Sequence, residues 1–254
     1  MTGRVKFSQM QTFWQDVKTS MAVLSRLPVH ARFDRLPLAI WAFPVVGLVI
    51  STACVLLLMI CDWIGLGIGL SVALAMTLGV MMTGAMHEDG IADTADGFWG
   101  GWTAARRLEI MRDSQIGTYG VLALVLVMLA RFSALSATVN GFNYGAIIAA
   151  AILSRAAMPY VMLLLAPARA DGLSVQTGRP DRKAVTLGAG VALALSWALV
   201  GFVSTVVAGC VCVVVIAGFM RLAKAKIGGQ TGDVLGATQV ICELAALAVF
   251  IAAV

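Results

Sequence analysis

The sequence predicts an all-α, polytopic membrane protein, with about seven transmembrane helices behind an N-terminal amphipathic helix and with the N-terminus in the cytoplasm. Three observations carry that expectation. Of the 254 residues, 60% are hydrophobic and 12% charged, against roughly 45–50% apolar and about 25% charged in an ordinary globular domain; the mean hydropathy is +0.94. So few charges could not clothe the surface of a soluble domain of this length. The apolar residues also come in runs of about 18 or more, the length a helix needs to cross a hydrocarbon core of about 30 Å. Finally, the basic residues are sorted by segment, and the formal charge of +5 is read as topology rather than as a nucleic-acid footprint. The five cysteines (Cys54, Cys61, Cys210, Cys212 and Cys242) lie in or at the ends of apolar runs without a CxxC spacing, and read as small buried hydrophobes.

Residues 1–37 carry Phe7, Met10, Phe13, Trp14, Val17, Met21 and Leu24 at spacings of three and four, with Lys6, Gln9, Asp16 and Lys18 between them. That is an amphipathic helix, lying either on the membrane surface or on the protein's own cytoplasmic face. Spans are expected at 38–61, 64–86, 119–139 and 145–166. The run 184–220 divides near Gly201 into two more, the alternative being one long tilted helix with a re-entrant piece, and a last span covers 234–254. Residues 38–254 then form one helical bundle with three polar segments, 87–118, 167–183 and 221–233, and the whole chain 1–254 is a single membrane domain. Sixteen of the 18 basic residues fall in these three segments and in 1–37, all on one side of a seven-span topology, which the positive-inside rule makes cytoplasmic. The other two, Arg131 and Arg155, lie within spans, as does Glu243. Charges buried about 15 Å deep face partners or a cavity, so Glu243 is expected to pair with Arg155 or Arg131, as a structural bridge or as part of a functional site.

The informative stretch is His87-Glu88-Asp89-Gly90-Ile91-Ala92-Asp93-Thr94-Ala95-Asp96-Gly97. On a helix, Asp89, Asp93 and Asp96 share one narrow face. Three ionised carboxylates so placed repel, and a divalent cation with oxygen ligands, Mg²⁺ or Mn²⁺, would neutralise them. The plain alternative is a solvated acidic loop. His87 and Glu88 point elsewhere; His87 reads as a structural hydrogen-bonder rather than the base.

Two further segments precede helices: Glu109-Ile110-Met111-Arg112-Asp113-Ser114-Gln115-Ile116-Gly117-Thr118-Tyr119-Gly120 and Gly228-Gly229-Gln230-Thr231-Gly232-Asp233. Helix N-termini attract phosphate. Ser114, Gly117, Gly229 and Thr231 are therefore candidate phosphate contacts, with Arg112, Lys224 and Lys226 adding charge. Asp113 and Asp233 would complete a two-metal cluster.

The run HEDGIADTADG, followed by EIMRDSQIGTYG and GGQTGDVLGA, together with SRLPVHARF at Ser25–Phe33 and FPVVGL at Phe43–Leu48, resembles the cobalamin synthase family (adenosylcobinamide-GDP ribazoletransferase) over nearly the whole chain. Glu88 departs from the family pattern, which commonly has an apolar residue there; off the carboxylate face, it is expected to matter little. The resemblance implies a multi-span enzyme of the bacterial inner membrane. In that reaction a ribose hydroxyl of α-ribazole, or of its 5′-phosphate, attacks the activated phosphate of adenosylcobinamide-GDP and releases GMP, with Mg²⁺ required. Contact with other enzymes of cobalamin assembly is left open, and the sorting of the basic residues predicts no nucleic-acid partner. On that reading Asp89, Asp93 and Asp96 hold metal, one of them or Asp113 takes the proton, and Arg112, Arg155, Lys226 and Asp233 belong to the substrate site.

Two other readings compete. Asp93-x-x-Asp96-Gly97 resembles part of the CDP-alcohol phosphotransferase signature, but Phe98-Trp99-Gly100-Gly101 stands where Ala-Arg should follow. A transporter would use Arg131, Arg155 and Glu243 to line a path, yet no inverted repeat accompanies them.

Overall fold

The computed structural model describes residues 2–253, with side chains from Met10 onward apart from Leu173 and Gln176; Lys6, Phe7 and Gln9 of the expected amphipathic pattern lie outside the described side chains. Helix α1 (Thr2–Leu24) is followed by a short α2 (Leu36–Ala39), a 3₁₀ turn (Ile40–Ala42) and α3 (Phe43–Trp63). The inner half of α1 packs on the protein through Val17, Met21 and Leu24, while Met10, Phe13 and Trp14 stay exposed. Polar groups pin the connection beneath it. Asp16 accepts from the Trp41 indole at 3.1 Å and pairs with Arg35 at 3.5 Å, and the Ser20 hydroxyl donates to the Ala39 carbonyl at 2.8 Å.

The second apolar segment is shorter than the expected 64–86. Helix α4 (Ile68–Thr83) ends at Gly84 and Ala85, both in the left-handed region (φ +66° and +59°). The chain then turns through 86° into α5 (Met86–Gly100). Glycine adopts such a φ without a Cβ clash, and the terminus of α4 is further held by the Arg26 amide, which donates to the Met82 carbonyl at 2.7 Å. The acidic stretch is therefore a helix of its own, swung off the axis of the span before it.

Helix α6 (Ala104–Ile110) is capped by Thr103, whose hydroxyl accepts from the Arg106 amide. After it come α7 (Thr118–Asn140), α8 (Tyr144–Leu164), α9 (Leu173–Gln176), α10 (Arg182–Val200), α11 (Phe202–Ile227) and α12 (Gly232–Ala252). Gly201, at φ +82°, separates α10 from α11, so 184–220 is two helices. The expected polar segment 221–233 is largely helical: α11 runs on to Ile227 and carries Arg221, Lys224 and Lys226 in its last turns. Among the described residues, six helices are long and apolar enough to cross a membrane, and a seventh if α4 and α5 are one bent span.

Helices α8 and α12 form the axis. Of α8's most apolar window 78% is buried, against 11% for α7, which stands at the rim. Close approach at the axis needs small residues. A Cβ on Gly47 of α3 would overlap the Ala151 carbonyl of α8. At one end of the bundle, hydrogen bonds join the polar segments: Asp181 to Pro37, Ala168 to Gln230, and the Arg107 guanidinium to the Lys226 carbonyl. Exposed Trp14, Trp99, Trp102 and Tyr119 lie towards this end, and exposed Trp63, Phe142, Trp197 and Phe202 at the other, as aromatic belts at two membrane interfaces would be placed.

Overpacking at a helix crossing costs about 1–3 kcal/mol. Gly47→Ala is therefore expected to lower the thermal midpoint in detergent, whereas Gly190→Ala, where a Cβ meets nothing within 4 Å, should leave it unchanged or raised.

Candidate active site

At the polar end, α5 crosses α12 with almost no separation. A Cβ on Gly90 would sit 2.7 Å from the Asp233 carbonyl oxygen and 3.2 Å from the Gly236 Cα. Only glycine permits this, and the contact brings the N-terminus of α12 beside the acidic face of α5. Asp89 and Asp93, one turn apart, open into a cavity of about 530 Å³ whose other walls include Arg112, Asp113, Ser114 and Leu124.

Asp233 stands at the start of α12. Thr231 caps that helix, accepting from the Val234 amide at 3.3 Å, and donates its hydroxyl to Asp233 Oδ2 at 3.1 Å. Arg169 Nη2 donates to the same oxygen at 3.3 Å, while Arg169 Nη1 is buried without a partner. Asp93 feels this crowding. Burial first, then the charges of Asp89, Asp233 and Asp96, push its carboxyl up to about 7, with Arg169 alone opposing. Negative charge exceeds positive charge around Asp93. Among the described residues no three His, Cys, Asp or Glu side chains close around a single metal-sized point.

Asp96 is placed differently from Asp89 and Asp93. It is buried, and its two oxygens accept the Gly117 and Gly120 amides at 2.7 and 2.8 Å. These are free N–H groups at the start of α7, whose own N-cap, Gly117, has no side chain to offer. Asp96 thus caps α7 from another helix. A Cβ at Gly117 or Gly120 would overlap its carboxylate, which is the physical reason for glycine at both positions.

The remaining candidates separate. Arg112 pairs with Asp171 at the cavity mouth. Asp113 Oδ1 accepts the Gln115 amide at 3.0 Å, forming a turn. Gly229 packs against Ala166 and Ala168 beside the two hydrogen bonds that join Gln230 to them, so its lack of a side chain serves packing. The Lys226 ammonium lies 5.3 Å from the centre of the Trp99 ring. Arg155 is not at the open cavity: it is buried inside the bundle, bonded to the Ala151 carbonyl at 3.2 Å. Glu243 pairs with Arg131 rather than with Arg155, at 2.8 Å, and Glu88, expected to matter little, holds the same arginine at 2.7 Å. Arg169 joins the site without a local sequence signal to distinguish it from Arg179 or Arg182.

Residues 16–251 match the family model described as cobalamin-5-phosphate synthase. The chain belongs to that family. A relative named adenosylcobinamide-GDP ribazoletransferase from Sinorhizobium medicae is 41% identical, covering 94% of this chain and 97% of its own. Proteins of the same name from Bradyrhizobium diazoefficiens and Brucella ovis are 42% and 40% identical, covering 92% and 91% of this chain and 92% and 94% of their own. No solved structure matches. This family member is an enzyme, a transferase of cobalamin biosynthesis in a multi-pass helical membrane fold. The transporter and CDP-alcohol readings are set aside. The match contains the polar segments 87–118, 167–183 and 221–233 and every residue of the cavity.

Loss of a hydrogen-bonded charge leaves buried amides unpaired and costs about 1–3 kcal/mol. Asp96→Ala and Gly120→Ala are each expected to lower the thermal midpoint, with Asp96→Asn intermediate. Asp93 behaves oppositely. Its folded carboxyl, near 7 against an ordinary 3.8, binds protons more tightly than the unfolded one. The metal-free fold should therefore lose stability as pH rises from 4 to 7, and at pH above that range Asp93→Asn should unfold at a higher temperature than the wild type.

Proposed function

We propose that this enzyme joins adenosylcobinamide-GDP to α-ribazole, or to its 5′-phosphate, and releases GMP, at the cavity beside α5. The observation that carries the reading is the convergence of Asp89, Asp93, Arg112 and Asp113 around one open cavity, with the Asp233–Arg169 pair close to Asp93, in a chain of the cobalamin-5-phosphate synthase family. The name of these relatives, adenosylcobinamide-GDP ribazoletransferase, supports the two substrates. The sorting of 16 of 18 basic residues into the segments 1–37, 87–118, 167–183 and 221–233 supports a cytoplasmic N-terminus and a cavity facing the cytoplasm from the inner membrane.

The crowded carboxylates fit Mg²⁺, with Mn²⁺ as a substitute: the donors are hard oxygens, and the charge around Asp93 has one opposing cation. Asp89 and Asp93 are the ligands in this reading, with Asp233 beside them. When bound, the metal supplies charge neutralisation to the pyrophosphate and to the departing GMP. Asp96, both of whose oxygens already accept amides, sets the position of α7 against α5. The ribose hydroxyl oxygen forms a bond to the phosphorus attached to cobinamide, and the bond from that phosphorus to the GMP oxygen breaks. Asp113, on another wall of the cavity, accepts the hydroxyl proton. Arg112 and the unpartnered Nη1 of Arg169 bind phosphate oxygens, with Ser114 at the same wall. Lys226, held over Trp99, adds positive charge at the same end of the bundle.

The purified protein in detergent, given both substrates, is expected to release GMP and form the corrinoid product only with Mg²⁺ or Mn²⁺. Asp89→Asn and Asp93→Asn should each abolish release while the protein stays inserted and folded. Metal-independent turnover, or full activity in either variant, would sink the reading. Because a protonated Asp93 is a poor ligand, the apparent affinity for Mg²⁺ should rise as pH is raised through about 7. A titration of initial rate against Mg²⁺ across that range checks it.

A further inference from the structure

Inside the bundle, behind the acidic face of α5, lies a second polar cluster that the transfer chemistry does not use. Arg131, in the middle of α7, donates from Nη1 to Glu88 Oε1 at 2.7 Å and from Nε and Nη2 to Glu243 Oε1 at 3.1 and 2.8 Å. Gln239 donates to Glu243 Oε2 and lies 3.1 Å from the Ser154 hydroxyl of α8. A cavity of about 50 Å³ adjoins the cluster, lined in part by His87, Glu88, Arg131, Arg155 and Glu243. Glu88 also borders the open cavity, so it forms part of the partition between the two.

Stability alone does not account for such a cluster. Taking charges out of water is costly, and apolar replacements of a buried ion pair are often as stable. What the cluster does uniquely is join helices. Few of α7's side chains are buried, and lipid gives an apolar helix no preference for protein neighbours. The polar fastenings of α7 are the Asp96 cap at its start and Arg131 at its middle, and both reach to α5. Glu88 directly precedes Asp89, at 100° around the helix. With Glu88 tied inward to Arg131, and Arg131 tied to α12 through Glu243, the rotation of α5 is set, and Asp89 and Asp93 face outward into the open cavity.

We infer that Glu88 and Arg131 are positioning residues: the Glu88–Arg131–Glu243 bridge sets the rotation of α5 and so presents Asp89 and Asp93 to metal and substrate. This rests on the proposed function, in that Asp89 and Asp93 are taken as the reacting site's ligands. A bridge with a merely structural role would move the thermal midpoint alone.

The test uses the full chain in detergent with three readouts: Mn²⁺ binding by electron paramagnetic resonance, kcat and KM for GMP release, and the thermal midpoint. Glu88→Ala leaves Arg131 paired with Glu243 and is expected to fold. Loss of groups that orient metal ligands costs about 10–100-fold in metal affinity or activity, so Mn²⁺ affinity and kcat should each fall by about tenfold or more, with KM for adenosylcobinamide-GDP little changed. Glu88→Gln, whose carbonyl oxygen still accepts from Arg131, should restore most of both. The double variant Glu88→Leu, Arg131→Met keeps the formal charge of the cluster balanced but takes the ion pair from Glu243, which retains Gln239; it should show the same loss of Mn²⁺ affinity and kcat, with a lowered thermal midpoint. Wild-type affinity and kcat in Glu88→Ala or in the double variant would overturn the inference, as would equal losses in Glu88→Ala and Glu88→Gln. Failure of both Glu88→Ala and the double variant to fold would also overturn it, because the bridge would then be holding the fold rather than aiming the carboxylates. If the wild type releases no GMP, the proposed function fails, and the Mn²⁺ titrations still decide the positioning.

Discussion

The Asp96 carboxylate accepts the first free amides of α7, and the polar end of the molecule is organised around that contact. A helix start carries unpaired N–H groups and a partial positive charge, and Gly117 has no side chain with which to cap them. Asp96 supplies the cap from α5, so the acidic helix and the rim helix of the bundle meet at a fixed point. The glycines at 117 and 120 follow from the same contact, since a Cβ at either would occupy the carboxylate's place. What reads as a phosphate-binding glycine motif is here, first, a seat for an aspartate.

Once α5 is anchored at Asp96 and Glu88, its remaining acidic groups have little freedom. Asp89 and Asp93 face the open cavity, and the glycine contact between α5 and α12 brings Asp233 alongside. Coulombic repulsion and burial raise the Asp93 carboxyl to about 7. Crowded carboxylates are poor for stability, the trade between stability and function seen at many sites. Arg169 partly relieves the repulsion by pairing with Asp233.

The rest of the bundle divides its labour by residue type. Small residues allow α3 and α8 to touch at Gly47 and Ala151. The helices with lipid-facing flanks, α7 above all, rely on polar contacts because hydrocarbon chains do not drive apolar helices together. Glu88, Arg131 and Glu243 make that contact at mid-helix, which gives intramembrane charge a mechanical purpose.

Much of the fold was legible in the sequence because its signals are local. Long apolar runs mark spans, Gly201 marks the turn between α10 and α11, and the sorted basic residues mark one face. The acidic helix was legible too, from the spacing of Asp89, Asp93 and Asp96. What the sequence alone could not decide depended on contacts between distant segments. Nothing local distinguishes Asp96 from its two neighbours, yet the helix start of α7 lies within its reach. Glu88 looked incidental until Arg131, 43 residues on, was seen to meet it. Arg155 and Arg131 were equal candidates for Glu243, and packing chose Arg131. Arg169 resembled its loop neighbours until the chain returned it to Asp233. Composition and periodicity determined that the chain is a helical membrane bundle and that its acidic residues gather on one helix. Only the tertiary structure decided which carboxylates face the cavity and which hold the helices, because that choice depends on which partners three-dimensional packing brings within hydrogen-bond distance.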